Sequence, residues 1–251
     1  MEWSLGVFVM SKDGKVWIYG KHAVRAAVLS ERRKVFKVIV LPQSRDCFAD
    51  LPVKVDVVDK SRFSSLFGKD AIHQGCAAHV SKLDEAYLED LPDDDRPIVF
   101  LDQVTDPQNI GSIMRAAAVF GAKAIVLPEM NSPEITAVIA KVASGAAEVV
   151  PLIKVKNLVQ SIKMLKKSGY WCLGLDERGD KKISEINLSG KFVLVIGSEG
   201  QGMRRLTREN CDFLLQLPSA GNFTTLNAAQ AATVSLYEIL RQNLNQKESR
   251  N

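Results

Sequence analysis

The 251-residue chain contains no run approaching the ~20 apolar residues that a membrane-spanning helix needs. Its apolar opening, Leu5–Met10, is too short for a secretory signal and follows Glu2 where a signal would carry basic residues. Neither membrane insertion nor secretion is expected, and the cytoplasm is the expected location. There are four cysteines, Cys47, Cys76, Cys172 and Cys211, with no C-x-x-C pair, and no histidine stands at a zinc-like spacing. That argues against a disulfide framework and against any metal site. The cysteines read as buried apolar residues of a reducing compartment. No internal repeat or low-complexity tract is visible. The dinucleotide fingerprint G-x-G-x-x-G and the phosphate-loop lysine are also missing, which disfavours a dehydrogenase or a nucleotide triphosphatase.

What is present is an ordinary globular balance, with 46% hydrophobic and 25% charged residues and a net charge of +4. The length suits one large domain or two modest ones. Charge is unevenly spread. Residues 1–60 carry 11 Lys or Arg against 7 acids, whereas residues 61–95 carry 3 against 8. Two basic regions thus flank an acidic one, an arrangement that fits either a shared polyanion or plain solvated surface.

The acidic, proline-containing segment Glu89–Pro97 reads as an exposed linker. It separates an N-terminal domain (1–88) from a second domain (98–243), and a polar tail (244–251) follows. Before the linker, Val35–Leu41 and Val53–Val58 read as strands and His22–Leu29 as a helix. After it, helical patterns at 110–120, 133–143, 158–167 and 226–242 alternate with short apolar strands at 98–101, 124–127, 149–153, 170–175, 192–196 and 214–217. Strands without polar alternation, separated by helices, predict a parallel sheet covered on both faces. Ligands of such sheets bind at the carboxyl ends of the strands.

Three strand-end loops hold unusual residues. The first, following Ile98–Leu101, contains Asn109, a plausible helix N-cap, and Arg115, a guanidinium suited to phosphate or carboxylate. The second places Gly197, Gly200 and Gly202 after a buried strand. Glu199 within that turn disfavours a phosphate ligand and suits a cation, an amino group or a ribose hydroxyl. The third passes Pro218 and Gly221 into a long Ala-rich helix, with Thr224 and Thr225 as capping hydroxyls and Asn227 in the first turn. Taken singly, each loop also reads as an ordinary turn or capped helix.

Together, DPQNIGSIMRAA (106–117), IGSEGQGMRRLTRENCD (196–212) and LPSAGNFTTLNAAQAA (217–232) closely resemble the three motifs of the SpoU (TrmH-like) family of RNA ribose methyltransferases. The resemblance runs from about Tyr19 to Gln242. It includes KVASGAAEVVPLIKV (141–155), the text around Tyr19–Leu29, and His73–Gly75, which are similar to that family's ribosomal-protein-like substrate-binding domain. It implies an α/β methyltransferase domain with a trefoil knot near its C-terminus and a smaller N-terminal α/β substrate-binding domain. It further implies S-adenosylmethionine as cofactor, and a homodimer in which both subunits build the active site. The implied substrate is a ribose 2′-hydroxyl of RNA, a guanosine of 23S ribosomal RNA, with transfer RNA as the alternative.

By the same resemblance Gly197, Gly200, Leu217, Leu226 and Asn227 contact the cofactor, and Asn109, Arg115, Glu199, Thr225 and Asn227 are the catalytic positions. The chain departs from the pattern at Thr225, where the family has serine, and at Ala228–Ala229, where Val-Ser is common. Arg115 is implied to remove the proton, with a substrate phosphate as relay. A guanidinium equally binds phosphate and stabilises a developing alkoxide. Glu199 is a conventional base candidate or an orienting group. A non-catalytic RNA-binding assembly factor is the main rival, and the intact polar set at all three motifs argues against it.

Overall fold

A computed structural model describes residues 14–130, 133, 135–221 and 225–248. The apolar opening Leu5–Met10 and the capping role of Thr224 lie outside the described residues. The chain divides into two compact units, one comprising 1–84 with 134–149, the other 85–133 with 150–251.

The first unit begins with β1 (Lys15–Tyr19), α1 (Lys21–Leu29), β2 (Val35–Val40), β3 (Val55–Val57), α2 (Lys60–Phe67) and β4 (Cys76–Ser81). The sheet order is β1-β4-β2-β3, with β4 antiparallel to both neighbours and β3 parallel to β2. The sequence pattern predicts β2, β3 and α1. The strand β4, written in small residues as CAAHVS, carries too little β-branched signal to stand out. Helix α2 starts where the Asp59 side chain accepts from the Arg62 N–H at 2.9 Å and stops at Gly68, φ 81°. One sheet face packs Ile18, Val38, Val40 and Val80 against Val24 and Ala27 of α1. The opposite face packs Tyr19, Ile39 and Ala77 against Phe63 of α2.

The second unit opens with β5 (Ile98–Asp102), α3 (Pro107–Phe120) and β6 (Ala124–Pro128). The chain then contributes α4 (Ala137–Ala143) and the turn after it to the first unit, although pattern reading assigns this stretch to the second domain. Ala140 joins the first unit's core, and Gly145 runs so close to Ala26 that an added Cβ would lie 2.5 Å from that methyl. Arg33 Nε meets Glu148 Oε1 at 2.7 Å with side-chain exposures of 2% and 7%, and Arg33 Nη1 donates to the Ser81 carbonyl. This pairing is not visible in sequence, because 115 residues separate the partners.

The second unit resumes with β7 (Leu152–Val155), α5 (Leu158–Lys167), β8 (Trp171–Leu175), β9 (Lys181–Lys182), β10 (Phe192–Gly197), α6 (Arg205–Glu209), β11 (Phe213–Gln216) and α7 (Ala228–Glu248). The sheet order is β7-β6-β5-β10-β8-β11-β9, and every pairing is parallel. All five residues of β5 and of β6 are buried, which is why their sequences lack polar alternation. Helix α7 continues six residues past the expected end at Gln242. The acidic segment read as an exposed linker is anchored to this unit. Most of the segment's residues are exposed, as expected, while the buried Lys123 ammonium donates to the carbonyls of Pro92 and Asp94 and to the Tyr170 hydroxyl. The neighbouring guanidinium of Arg96, then Lys123, hold the Asp94 carboxyl far below the usual carboxylate range.

Candidate functional site

Strand β10 ends at Gly197, and the chain there doubles back on itself. Ser198 and Gly202 form an antiparallel bridge, with N–H to carbonyl distances of 3.1 and 2.9 Å. Gly200 and Gly202 occupy the left-handed region at φ 82° and 68°, which glycine enters without strain. A Cβ on Gly197 would lie 2.3 Å from the Gly202 carbonyl carbon, so backbone passes where any side chain would stand. The result is a tight hairpin with Glu199 at its exposed tip. Part of the turn's N–H set is consumed within the turn itself. What the turn presents to solvent is the Glu199 carboxylate.

Helix α3 supplies the first partner. Its N-cap is Asp106, whose side chain accepts from the Gln108 N–H at 2.9 Å, with Pro107 at the first helical position. The expected N-cap, Asn109, instead lies inside the first turn. Being free of capping, it donates Nδ2–H to Glu199 Oε1 at 2.9 Å. Helix α7 supplies the second partner. Asn227 is its N-cap, accepting from the Gln230 N–H at 2.7 Å, so it precedes the first turn in which it was expected. The next N–H, that of Ala228, points to Glu199 Oε1 at 3.4 Å. One carboxylate oxygen thus joins the three strand-end segments, aided by the positive end of the α7 dipole.

Arg115 stands apart from this cluster. Six residues from Asn109 correspond to about 240° of helical rotation, so the two face different ways. Arg115 is exposed and, among the described residues, makes no hydrogen bond or ion pair. It shares a stripe with Val119, one turn on and 67% exposed. Thr225 and Leu226 are exposed beside the α7 N-terminus, and Leu217 is half-buried just past β11.

Sequence reading missed Asp102, the last residue of β5. It is fully buried, pairs in register with Gly197, and its Oδ2 accepts from the Arg204 N–H at 2.8 Å. Its Oδ1 accepts no hydrogen bond among the described residues and lies 3.5 Å from Arg204 Nε. Asp102 therefore ties the glycine hairpin to β5. A carboxylate closing the apolar run IVFL was the available signal. The left-handed conformation of Gln103, φ 65°, was not legible at all. A cavity of about 240 Å³ adjoins this corner, lined by Gln103, Thr105, Ser198, Gln201, Arg204 and Met130 among others. Among the described residues no cluster of three His, Cys, Asp or Glu could hold a metal ion.

A parallel α/β unit whose strand-end loops converge on one polar site, joined to a smaller mixed-sheet unit, defines the general class of protein. The family follows directly: residues 96–237 match the SpoU rRNA Methylase family, residues 17–86 match the RNA 2′-O ribose methyltransferase substrate-binding domain, and the chain belongs to the SpoU family. It is 38% identical to a 23S rRNA (guanosine-2′-O-)-methyltransferase of Pseudomonas aeruginosa, over 90% of this chain and 96% of the relative. The enzyme of the same description from Escherichia coli K12 is 36% identical over 90% of this chain and 98% of its own. In fold it resembles the SpoU methyltransferase AviRb from Streptomyces viridochromogenes, solved with AdoMet, at a TM-score of 0.77 and 24% identity, covering 92% of this chain and 91% of that one.

Proposed function

We propose that this protein transfers a methyl group from S-adenosylmethionine to the ribose 2′-hydroxyl of a guanosine in 23S ribosomal RNA, acting in the cytoplasm as a homodimer. The observation that carries the reading is the convergence of Asn109, Glu199 and the α7 N-terminus on one carboxylate oxygen. It coexists with 38% identity to enzymes of that description along 90% of the chain.

The residues fit the cofactor. Leu226 is 45% exposed, an apolar surface beside the third loop that suits a flat purine. Gly197 keeps side chains out of the hairpin, and the Glu199 carboxylate offers negative charge to a cationic ligand. When bound, S-adenosylmethionine supplies a methyl group already activated by its sulfonium charge. Gly197, Gly200, Leu217, Leu226 and Asn227 hold it.

Glu199, fixed by Asn109 and the Ala228 N–H, accepts a hydrogen bond from the ribose hydroxyl and takes up its proton. Thr225 and Asn227 orient the nucleotide. Arg115 binds the adjoining phosphate and stabilises the developing alkoxide. Holding the reactants in line supplies on the order of 7–11 kcal/mol at best.

Arg115 reaches that task from the second subunit. Val119 on α3 and Val234, Tyr237 and Leu244 on α7 are 44–67% exposed. The α7 members recur at helical spacing, and Tyr237 contacts Phe120 of α3 edge-on, 6.0 Å between ring centres. These exposed apolar residues, with Arg115 one turn before Val119, mark the surface on which a second copy docks. It carries each Arg115 toward the partner's Glu199.

The test is incubation of the purified protein with 23S ribosomal RNA and methyl-labelled S-adenosylmethionine. Label at one alkali-resistant guanosine linkage is the expected result. Label on a base, or none, overturns the reading.

A further inference from the structure

The first unit carries a second feature that the catalytic site does not use. On the sheet face covered by α2, the cover stops at Phe67, whose edge meets Trp17 at 5.8 Å. Beyond that edge the face continues across three strands as aromatic rings. Trp17 of β1 and His79 of β4 are register partners, stacked at 4.8 Å with planes 20° apart. On β2 the register shifts between Val35 and Lys37, a bulge that leaves Phe36 outside the ladder. Bulges re-aim side chains, and here the Phe36 ring comes within 5.8 Å of His79. Phe36 remains 40% exposed. Lys15 Nζ lies 4.7 Å and Lys34 Nζ 5.6 Å from the Phe36 ring centre. Lys37 borders the group and pairs with Asp56 at 3.1 Å.

We infer that this ring ladder is a docking platform for unpaired RNA nucleotides, with bases stacking on Phe36 and the His79–Trp17 pair and phosphates meeting Lys15 and Lys34. The chemistry selects this occupant. A single-stranded nucleotide offers a flat π-face and an anion a few ångströms apart, and the sheet offers rings and ammonium groups at the same separation. A duplex hides its base faces and has nothing to stack. An apolar protein partner would leave the Lys34 ammonium to desolvate within the contact. The platform deepens the reading of this protein as an RNA methyltransferase by giving the substrate-binding unit a stated target, unpaired bases.

The experiment measures equilibrium binding of the full-length protein to a fluorescent unpaired dodecaribonucleotide and to a duplex of equal length, with thermal melts confirming that each variant folds. Phe36→Ala is expected to weaken unpaired-RNA binding about tenfold and leave duplex binding unchanged, while Phe36→Tyr restores it. Lys34→Gln is expected to reduce the salt dependence by about one phosphate contact. Wild-type affinity of a folded Phe36→Ala protein for unpaired RNA overturns the platform, whatever its methylation. Weakened binding in a protein that transfers no methyl group upholds the platform and overturns only the catalytic reading.

Discussion

The two sheets of this protein use their strands differently. In the second unit the seven strands are parallel and β5 and β6 are fully buried, so the polar groups collect at the carboxyl ends, where Asp102, Glu199 and the Asn227 cap stand. In the first unit the sheet is mixed and one face is only partly covered, so it offers a surface along the strands, written as Trp17, His79 and Phe36. A parallel sheet must be wrapped in helices, and only its rim is free to bind. A sheet with antiparallel pairs tolerates one open face. Under the function proposed above, turnover belongs to the one unit and substrate affinity to the other.

The comparison can be broken at its strongest point in the first unit. Arg33→Ala leaves Glu148 as an unpaired buried charge and should cost about 3–5 kcal/mol. Denaturant unfolding should show that loss as a lowered midpoint. At the strand-end site, Glu199→Ala should lower kcat about 100- to 1000-fold while RNA affinity stays within about twofold. Single-turnover kinetics against direct binding separates the two, and a parallel fall in affinity would dissolve the division of labour. Asn227→Ala removes the α7 cap and should destabilise the second unit by about 1 kcal/mol, read from the same unfolding curves.

The smallest effect is on thiols, one in each unit. Burial pushes the Cys76 thiol up to about 12. The hydrogen bond with Cys211, followed by burial, raises that of Cys172. Both folded-state values exceed the ordinary ~8.5 of an unfolded cysteine. The stability they contribute is therefore complete below about pH 8.5 and declines as pH rises beyond it. At pH 8 neither thiol should be alkylated by iodoacetamide in the native protein, and both should react in urea. Rapid native labelling of Cys76 would contradict the packing.

Much of the second unit was legible because parallel buried strands write their own signal. FVLVI and IVFL need no partner to be recognised, and β10 and β5 follow. The site residues were legible as types, and their geometry was less so. Asp106 and Asn109 are both good caps by composition. Only the position of Pro107, which prefers the first helical residue, favours Asp106 and frees Asn109 for Glu199. Asn227 was read two positions too deep for a similar reason, since Thr225 competes for the cap. The Arg33–Glu148 pair and the excursion of α4 into the first unit depend on contacts between residues more than 100 apart, which no local pattern encodes. The bulge at Phe36 is likewise a property of register.

The central claim is that each catalytic pocket is shared, Glu199 from one subunit working with Arg115 from its partner. Mixing unfolded Arg115→Ala and Glu199→Ala proteins, each inactive alone, and refolding them together tests it directly. Half of the dimers then carry one intact composite pocket, so methylation should return to about a quarter of the wild-type rate. If the mixed preparation is as inactive as its components, the two residues act within one chain and the account is wrong.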